Sequence, residues 1–418
     1  MTESKVIGLL ERRILDAANN RIDTVSISRD ICAVIRPNRI QFVKKDALKF
    51  IENDYIDSIP KKESKKVLSL TIVPTLDCNL SCIYCYSKGG ESKLNMNPSL
   101  AKSFIRYMYN FPGYEGIHLR FAGGGEPFLN FDCMKESVKA AKELSEQVSL
   151  HCITNGTFKE EHLQWMTDHN AQVRVSFDGL SQKQQRPFYT GEDSSQNVRE
   201  NISKLIANGL EVITQTTITS GNVKKMSDIA EDIVSLGVKT IKIEPVYITK
   251  NSRGDASLGV KPADFAKNFI DTVINLRNKN FGVSIDTSFF SRPTLGHYCS
   301  MAEGNLILTP ESYVSGCVEI TKSCDDFSDF VFYGRFNERE NKMEVDKDKL
   351  ERYKGFHFVN NPSCSSCNLK LLCRGGCPMR SLFGQKKEMC QTTKILIPEL
   401  LRLFYKDKSY LGMFKNET

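Results

Sequence analysis

Residues Cys78-Asn79-Leu80-Ser81-Cys82-Ile83-Tyr84-Cys85 set three thiols within eight positions, just after the β-branched, apolar stretch Leu68 to Val73. Iron–sulfur cubanes are usually held by four thiolates, so a tight set of three leaves one iron without a protein ligand. An open coordination position on a metal is where chemistry takes place. A structural zinc site with a distant fourth ligand is the plain alternative. Zinc ligands usually come as two CxxC halves, however, and the spacing CxxxCxxC does not look like one half.

Four later stretches end apolar strands in glycines or polar groups. Ile117–Ala122 runs into Gly123-Gly124-Gly125-Glu126-Pro127. Glycines let a backbone approach a ligand closely, and Glu126 could accept a charge-assisted hydrogen bond from a cationic amine. Alone this is weak, because glycine turns are common. Leu150–Thr154 ends at Asn155-Gly156, which is first a turn signal. Val173–Val175 ends at Ser176 and Asp178, which suit hydrogen bonding to ribose hydroxyls. Ile241–Ile243 ends at Glu244, as apt to cap a loop as to touch a ligand. In parallel α/β barrels the C-terminal strand ends hold the active site.

The CxxxCxxC spacing, with Tyr84 before its third cysteine, resembles the signature of the radical S-adenosylmethionine (radical SAM) enzymes, and the four stretches follow in that family's order. The resemblance implies that Cys78, Cys82 and Cys85 hold a [4Fe-4S] cluster whose fourth iron binds S-adenosylmethionine. It implies that Gly124, Gly125 and Glu126 hold the methionyl amine, that Ser176 and Asp178 lie at the ribose, and that Glu244 lies near adenine. Tyr84 and Asn155 join the same cofactor-binding set.

A second sulfur-rich region reads Cys364-Ser365-Ser366-Cys367, then Cys373, Cys377 and Cys390, with Cys299 and Cys317 upstream. This glycine-broken run closely resembles the SPASM extension of radical SAM enzymes, which houses two auxiliary clusters; a zinc ribbon is the competing reading. Carried over, Cys364, Cys367, Cys373 and Cys390 bind one cluster, and Cys299, Cys317 and Cys377 bind the other. Where the extension usually has a glycine five positions before its second cysteine, this chain has Ser312. Cys324 is the nearest further sulfur to the second set, but Lys322 and Asp325-Asp326 make its surroundings read as an exposed loop, which favours an open or non-cysteine-ligated iron. Cys32, Cys133 and Cys152 have no cluster spacing and are expected to pack as small apolar residues.

The 418 residues allow one barrel plus a smaller domain, and 40% apolar content can fill the core. Residues 1–20 carry charges throughout, without the apolar segment of a signal peptide, and no run is long enough to span a membrane. In such a chain fourteen cysteines suggest metal rather than disulfides, and a cytoplasmic location is expected. The net charge of +7 is modest and spread out. The run Lys61–Lys66 reads as a solvated linker, so neither nucleic acid nor membrane is an expected partner.

The expected fold is α/β: a partial (β/α)6 TIM-like barrel over 67–290, an N-terminal α+β extension over 1–66, and a C-terminal iron–sulfur SPASM domain over 291–418. Six strand patterns near 67–74, 117–122, 148–154, 171–177, 210–218 and 238–245 alternate with helical ones. The extension should hold an amphipathic helix carrying Val6, Ile7, Leu10, Ile14 and Leu15, a hairpin turning at Pro37-Asn38, and a helix from Lys45 to Glu52. It reads as a barrel cap more than as a peptide-recognition module. Lys250–Gly259 reads as a mobile surface loop.

The resemblance implies hydrogen abstraction by a 5′-deoxyadenosyl radical, and many relatives modify ribosomally made peptides or a protein side chain by crosslinking, thioether formation or oxidation. A peptide or protein substrate and a low-potential donor such as flavodoxin or ferredoxin are the expected partners. A small metabolite is the alternative substrate. A non-catalytic electron-transfer scaffold would need no pocket of glycine, carboxylate and ribose-binding segments.

Overall fold

The computed structural model describes residues 23–36, 39–45, 66–290, 297–356 and 358–414. The helix expected over residues 1–20, the Pro37-Asn38 turn and nearly all of the expected 45–52 helix and lysine run lie outside the described residues.

Strand β4, Lys66–Ile72, buries Leu68, Leu70 and Ile72 almost completely on one face and Thr71 on the other. Its second face, exposed at Val67 and Ser69, becomes buried only at Thr71 near the C-terminal end. Strands β5 (Tyr114–Phe121), β6 (Val148–Thr154), β7 (Gln172–Ser176), β8 (Val212–Ile218) and β9 (Thr240–Pro245) follow in chain order, each parallel to the last. Helices make the crossovers. The first, α1 (Pro98–Tyr109), starts where the Asn97 side chain accepts the Ser99 amide at 3.0 Å, and its Leu100, Phe104, Ile105 and Met108 form the buried face. The second, α2 (Phe131–Leu144), packs beside it.

Two features enlarge the expected six-stranded barrel. Ser284–Asp286 (β10) pairs parallel to β9 as a seventh strand; three residues are too few to leave a periodic signal in the sequence. At the other edge, Ile307–Leu308 (β11) lies parallel to β4, with Leu308 opposite Ile72. It passes the sheet on to the antiparallel strands β12 (Tyr313–Ser315), β13 (Phe332–Asn337) and β14 (Lys342–Val345). The result is one eleven-stranded sheet, so the sulfur-rich C-terminal region grows from the barrel edge rather than hanging beside it.

The turn between β11 and β12 survives the missing glycine. Ser312 adopts φ +66°, the left-handed conformation that glycine takes without penalty, and its amide closes the turn on Thr309 O at 3.0 Å.

The N-terminal strands β1 (Asp23–Ser26), β2 (Ile31–Arg36) and β3 (Arg39–Lys44) form a separate antiparallel sheet. Where a barrel cap is expected, this sheet braces the C-terminal cysteine region. Buried Asp23 pairs with Lys370 at 2.6 Å and accepts the Leu371 amide at 3.0 Å. Asn368 donates to Thr24 O at 2.9 Å, and Phe42 packs on Tyr405 of the long helix Lys386–Lys406.

Candidate active site

The C-terminal ends of β4 to β9 open on one side of the sheet, and the loop after β4 carries Cys78, Cys82 and Cys85. Leu80, Cys82, Tyr84 and Val246 form a small buried cluster that anchors this loop. Its backbone is stitched to the segment after β7: the Ser81 amide donates to Pro187 O at 2.8 Å and the Ile83 amide to Gln185 O at 2.9 Å.

The Gly123–Glu126 turn after β5 presses against the entry to the same loop. A Cβ on Gly125 would stand 1.8 Å from the Asp77 carbonyl oxygen, so only glycine permits the approach. The Gly125 amide donates to Thr75 O at 3.0 Å and the Glu126 amide to Asp77 O at 2.7 Å.

Each thiol has a protein hydrogen-bond donor. Asn155 Nδ2 lies 3.7 Å from Cys78 Sγ, Arg186 Nη1 lies 3.8 Å from Cys82 Sγ, and the Gly89 amide lies 3.3 Å from Cys85 Sγ. Donors aimed at sulfur suit thiolates. Burial, with the neighbouring negative groups, pushes the other way: the Cys78 thiol is raised to about 12 and that of Cys82, against the lowering effect of Arg186, to about 11. Cys78 and Cys82 therefore hold protons until a metal displaces them. Among the described residues no three His, Cys, Asp or Glu side chains converge as the ligands of a single ion do. A four-iron cluster instead takes one thiolate per iron, and the donors and glycine cradle of this loop fit that group.

Glu126 is buried, and burial lifts its carboxyl to about 7 against the lowering effect of its hydrogen bonds. It accepts from the Asn155 amide at 2.6 Å, Thr154 Oγ1 at 2.8 Å and the Phe128 amide at 3.3 Å. A carboxylate offers about four acceptor sites, so one remains for an amine. Tyr84 donates to Asp178, and Ser176 is half-buried at the end of β7.

Asp178 corrects the sequence reading. Its side chain is fully buried, and both oxygens are taken by protein donors: Gln185 Nε2 at 2.8 Å, Arg186 Nε at 3.1 Å, the Thr217 amide at 2.8 Å, and Tyr84. The turn at Gly179, with φ +54°, folds it inward, so it is an interior organiser rather than a ribose ligand. Glu244 serves as a loop cap, accepting the Ser288 amide at 2.5 Å and Ser288 Oγ at 2.6 Å.

Lys250–Gly259 is a second correction. Asn251 and Ser252 are buried, and Arg253 reaches the cysteine loop, donating to Cys82 O at 3.1 Å and Gly89 O at 3.0 Å while its amide donates to Cys85 O at 2.8 Å. Its first half is tied to backbone groups through Asn251 and Arg253, while Lys250 and residues 255–257 stay exposed.

Seven of the other eleven cysteines fall into two sets by their mutual electrostatic influence. Cys299, Cys317 and Cys377 influence one another by charge, and burial raises all three, Cys299 to about 12. Cys373 is raised to about 12, first by burial and then by Cys390, Cys364 and Cys367. Cys324 is exposed, whereas Cys32, Cys133 and Cys152 are buried.

Residues between the first set and Cys85 escaped the sequence reading. Burial raises the Tyr86 hydroxyl, and the charges of Cys85, Glu319 and Cys317 raise it further. Glu319 pairs with Arg380 at 2.8 Å, and the Arg380 guanidinium lies 4.2 Å from the Tyr247 ring centre. Tyr86, Tyr247, Glu319 and Arg380 all keep part of their surface open. A separate cleft of about 430 Å³ is lined by Asn79, Glu126 and His162 among others, and no cysteine lines it.

Residues 72–236 match the Radical SAM superfamily. The matched segment includes Cys78, Cys82, Cys85 and the Gly123–Glu126 turn. It is 28% identical over 191 residues to a probable GTP 3′,8-cyclase of Methanococcus aeolicus, covering 44% of this chain and 62% of that protein. Over 335 residues it is 21% identical to a serine-type anaerobic sulfatase-maturating enzyme of Klebsiella aerogenes, covering 75% of this chain and 80% of that one. Matches to the first curated relatives span 58% to 62% of their length. A solved structure, native anSMEcpe with bound AdoMet and Cp18Cys peptide, shares the fold at a TM-score of 0.65 and 17% identity, covering 83% of this chain and 100% of that one. No helix among the described residues is long and apolar enough to cross a membrane.

Proposed function

We propose that the chain reductively cleaves S-adenosylmethionine and uses the 5′-deoxyadenosyl radical to abstract hydrogen from a peptide or protein side chain. The observation that carries this reading is the thiol triad, each sulfur facing a hydrogen-bond donor, beside the Gly123–Glu126 turn. Cys78, Cys82 and Cys85 would hold a four-iron cluster, which would supply the electron that breaks the sulfonium. Gly124 and Gly125 admit the methionyl end by close backbone approach, and Glu126 orients its amine with the acceptor site left on its carboxylate.

Cys299, Cys317 and Cys377 are proposed to hold one auxiliary cluster, and Cys364, Cys367, Cys373 and Cys390 the other. The space among Tyr86, Tyr247, Glu319 and Arg380 would receive the substrate, with aromatic faces and a paired charge suited to a peptide. A primary radical must be shielded from water, and the rings provide that wall. The sulfatase-maturating relative and the peptide in the anSMEcpe structure support this substrate class. The cyclase relative supports the small-molecule alternative. A low-potential protein such as flavodoxin or ferredoxin would deliver the electrons.

The test supplies anaerobic, reduced enzyme with deuterated peptide fractions from cells and, separately, with deuterated small-molecule extracts. Deuterium in 5′-deoxyadenosine from the peptide fractions alone is the expected result. Deuterium only from the small-molecule arm overturns the peptide reading.

A further inference from the structure

We propose that Arg186 sets the reduction potential of the cluster held by Cys78, Cys82 and Cys85; the inference rests on the reading of that triad given above. Arg186 Nη1 donates toward Cys82 Sγ at 3.8 Å, within the longer range of sulfur acceptors. Its Nε donates to Asp178 Oδ2 at 3.1 Å, and its guanidinium lies 5.3 Å from the Tyr84 ring centre. Arg186 is 8% exposed and Asp178 is 0% exposed, so water screens neither. The three contacts fix the plane of the guanidinium and aim one edge at sulfur.

Asp178 offsets this cation only in part at the sulfur. Its carboxylate binds Tyr84, Gln185 and the Thr217 amide as well as Arg186, whereas the guanidinium itself faces Cys82 Sγ. The donors described at the other two thiols are neutral: the Asn155 side chain at Cys78 and the Gly89 amide at Cys85. Cys82 therefore receives the charged donor of the set.

Reduction adds one electron from the external donor and makes or breaks no bond in the protein. It leaves the cluster and its sulfurs more negative. A charged hydrogen bond stabilises that state more than the oxidised one, which raises the potential. Arg186 is thus a positioning residue that makes the reduced cluster accessible. Its placement ten residues after Ser176, directly after the glutamine-rich stretch Gln182–Gln185, gave no sign of this role in the sequence.

The test is a potentiometric titration of the cluster whose electron paramagnetic resonance signal shifts on adding S-adenosylmethionine. Arg186→Lys keeps the charge but cannot span Asp178 and Cys82 together. Arg186→Gln combined with Asp178→Asn removes both charges and retains hydrogen-bonding groups. At fixed potential the reduced-to-oxidised ratio should fall about tenfold in the double variant, which is ~59 mV for a one-electron couple, and about threefold in the lysine variant, with iron content unchanged. If the double variant loses iron, the lysine variant decides. A wild-type midpoint in an iron-replete variant overturns the proposal. A wild-type protein with no signal that responds to S-adenosylmethionine would instead remove the reading of the triad.

Discussion

Glu126 joins the turn after β5 to the end of β6, and its chemistry turns on one buried proton. Its folded value of about 7 stands above the ordinary 4.5. The native state therefore holds the proton more tightly than the unfolded chain, and this carboxyl's contribution to stability is lost as pH rises from 4.5 through about 7. Binding a cationic amine favours the ionised form, so affinity for S-adenosylmethionine should rise between about pH 6 and 8. That pH dependence should vanish in Glu126→Gln. Glu126→Ala should weaken binding about 10- to 150-fold, the loss of one charge-assisted hydrogen bond. Calorimetry on reconstituted protein checks both, and wild-type affinity in the alanine variant contradicts the role. Glu126 was legible because glycines and a carboxylate crowd one turn. Asp178 was misread because only the fold shows Gln185, Arg186, Thr217 and Tyr84 closing on it.

At the scale of elements, local patterns carried the core strands but not the pairing of its edges. β10 and β11 have three and two residues, too short for any periodicity, and each exists because a longer strand, β9 or β4, offers it a partner. The loop Lys250–Gly259 looked wholly solvated for the same reason: its Arg253 meets backbone groups more than 160 residues away in sequence, at Cys82 and Gly89. Ser312 is the local exception, a departure visible in the sequence with a structural consequence. A serine at φ +66° is strained where glycine is not. Ser312→Gly should stabilise the protein by roughly 1 kcal/mol, the left-handed penalty less glycine's greater freedom when unfolded. A higher urea midpoint at unchanged slope is the expected result, and a lower midpoint would show that Ser312 is held by more than its backbone.

Across the whole molecule, N-terminal and C-terminal regions meet at one buried ion pair. The Asp23 and Lys370 side chains are 1% and 9% exposed, and Lys370 stands three residues after Cys367. The first sheet is therefore a brace for the loop that carries Cys364, Cys367 and Cys373. Removing one partner of a buried pair strands the other charge at a cost of about 3 kcal/mol. Asp23→Ala should speed amide exchange across residues 23–44 by about 150-fold and should loosen iron from the neighbouring set first. Unchanged exchange would show that the sheet is held by its apolar contacts alone.

The central claim is that three cysteine sets hold three clusters and that only the first cleaves S-adenosylmethionine. Iron analysis of anaerobically reconstituted protein, paired with an assay for 5′-deoxyadenosine, tests it most directly. The wild type should carry about 12 irons, four for each cluster. The Cys78→Ala, Cys82→Ala, Cys85→Ala triple variant should lose about a third of them and all cleavage, while Cys324→Ala should lose neither. A triple variant that still releases 5′-deoxyadenosine would contradict the account.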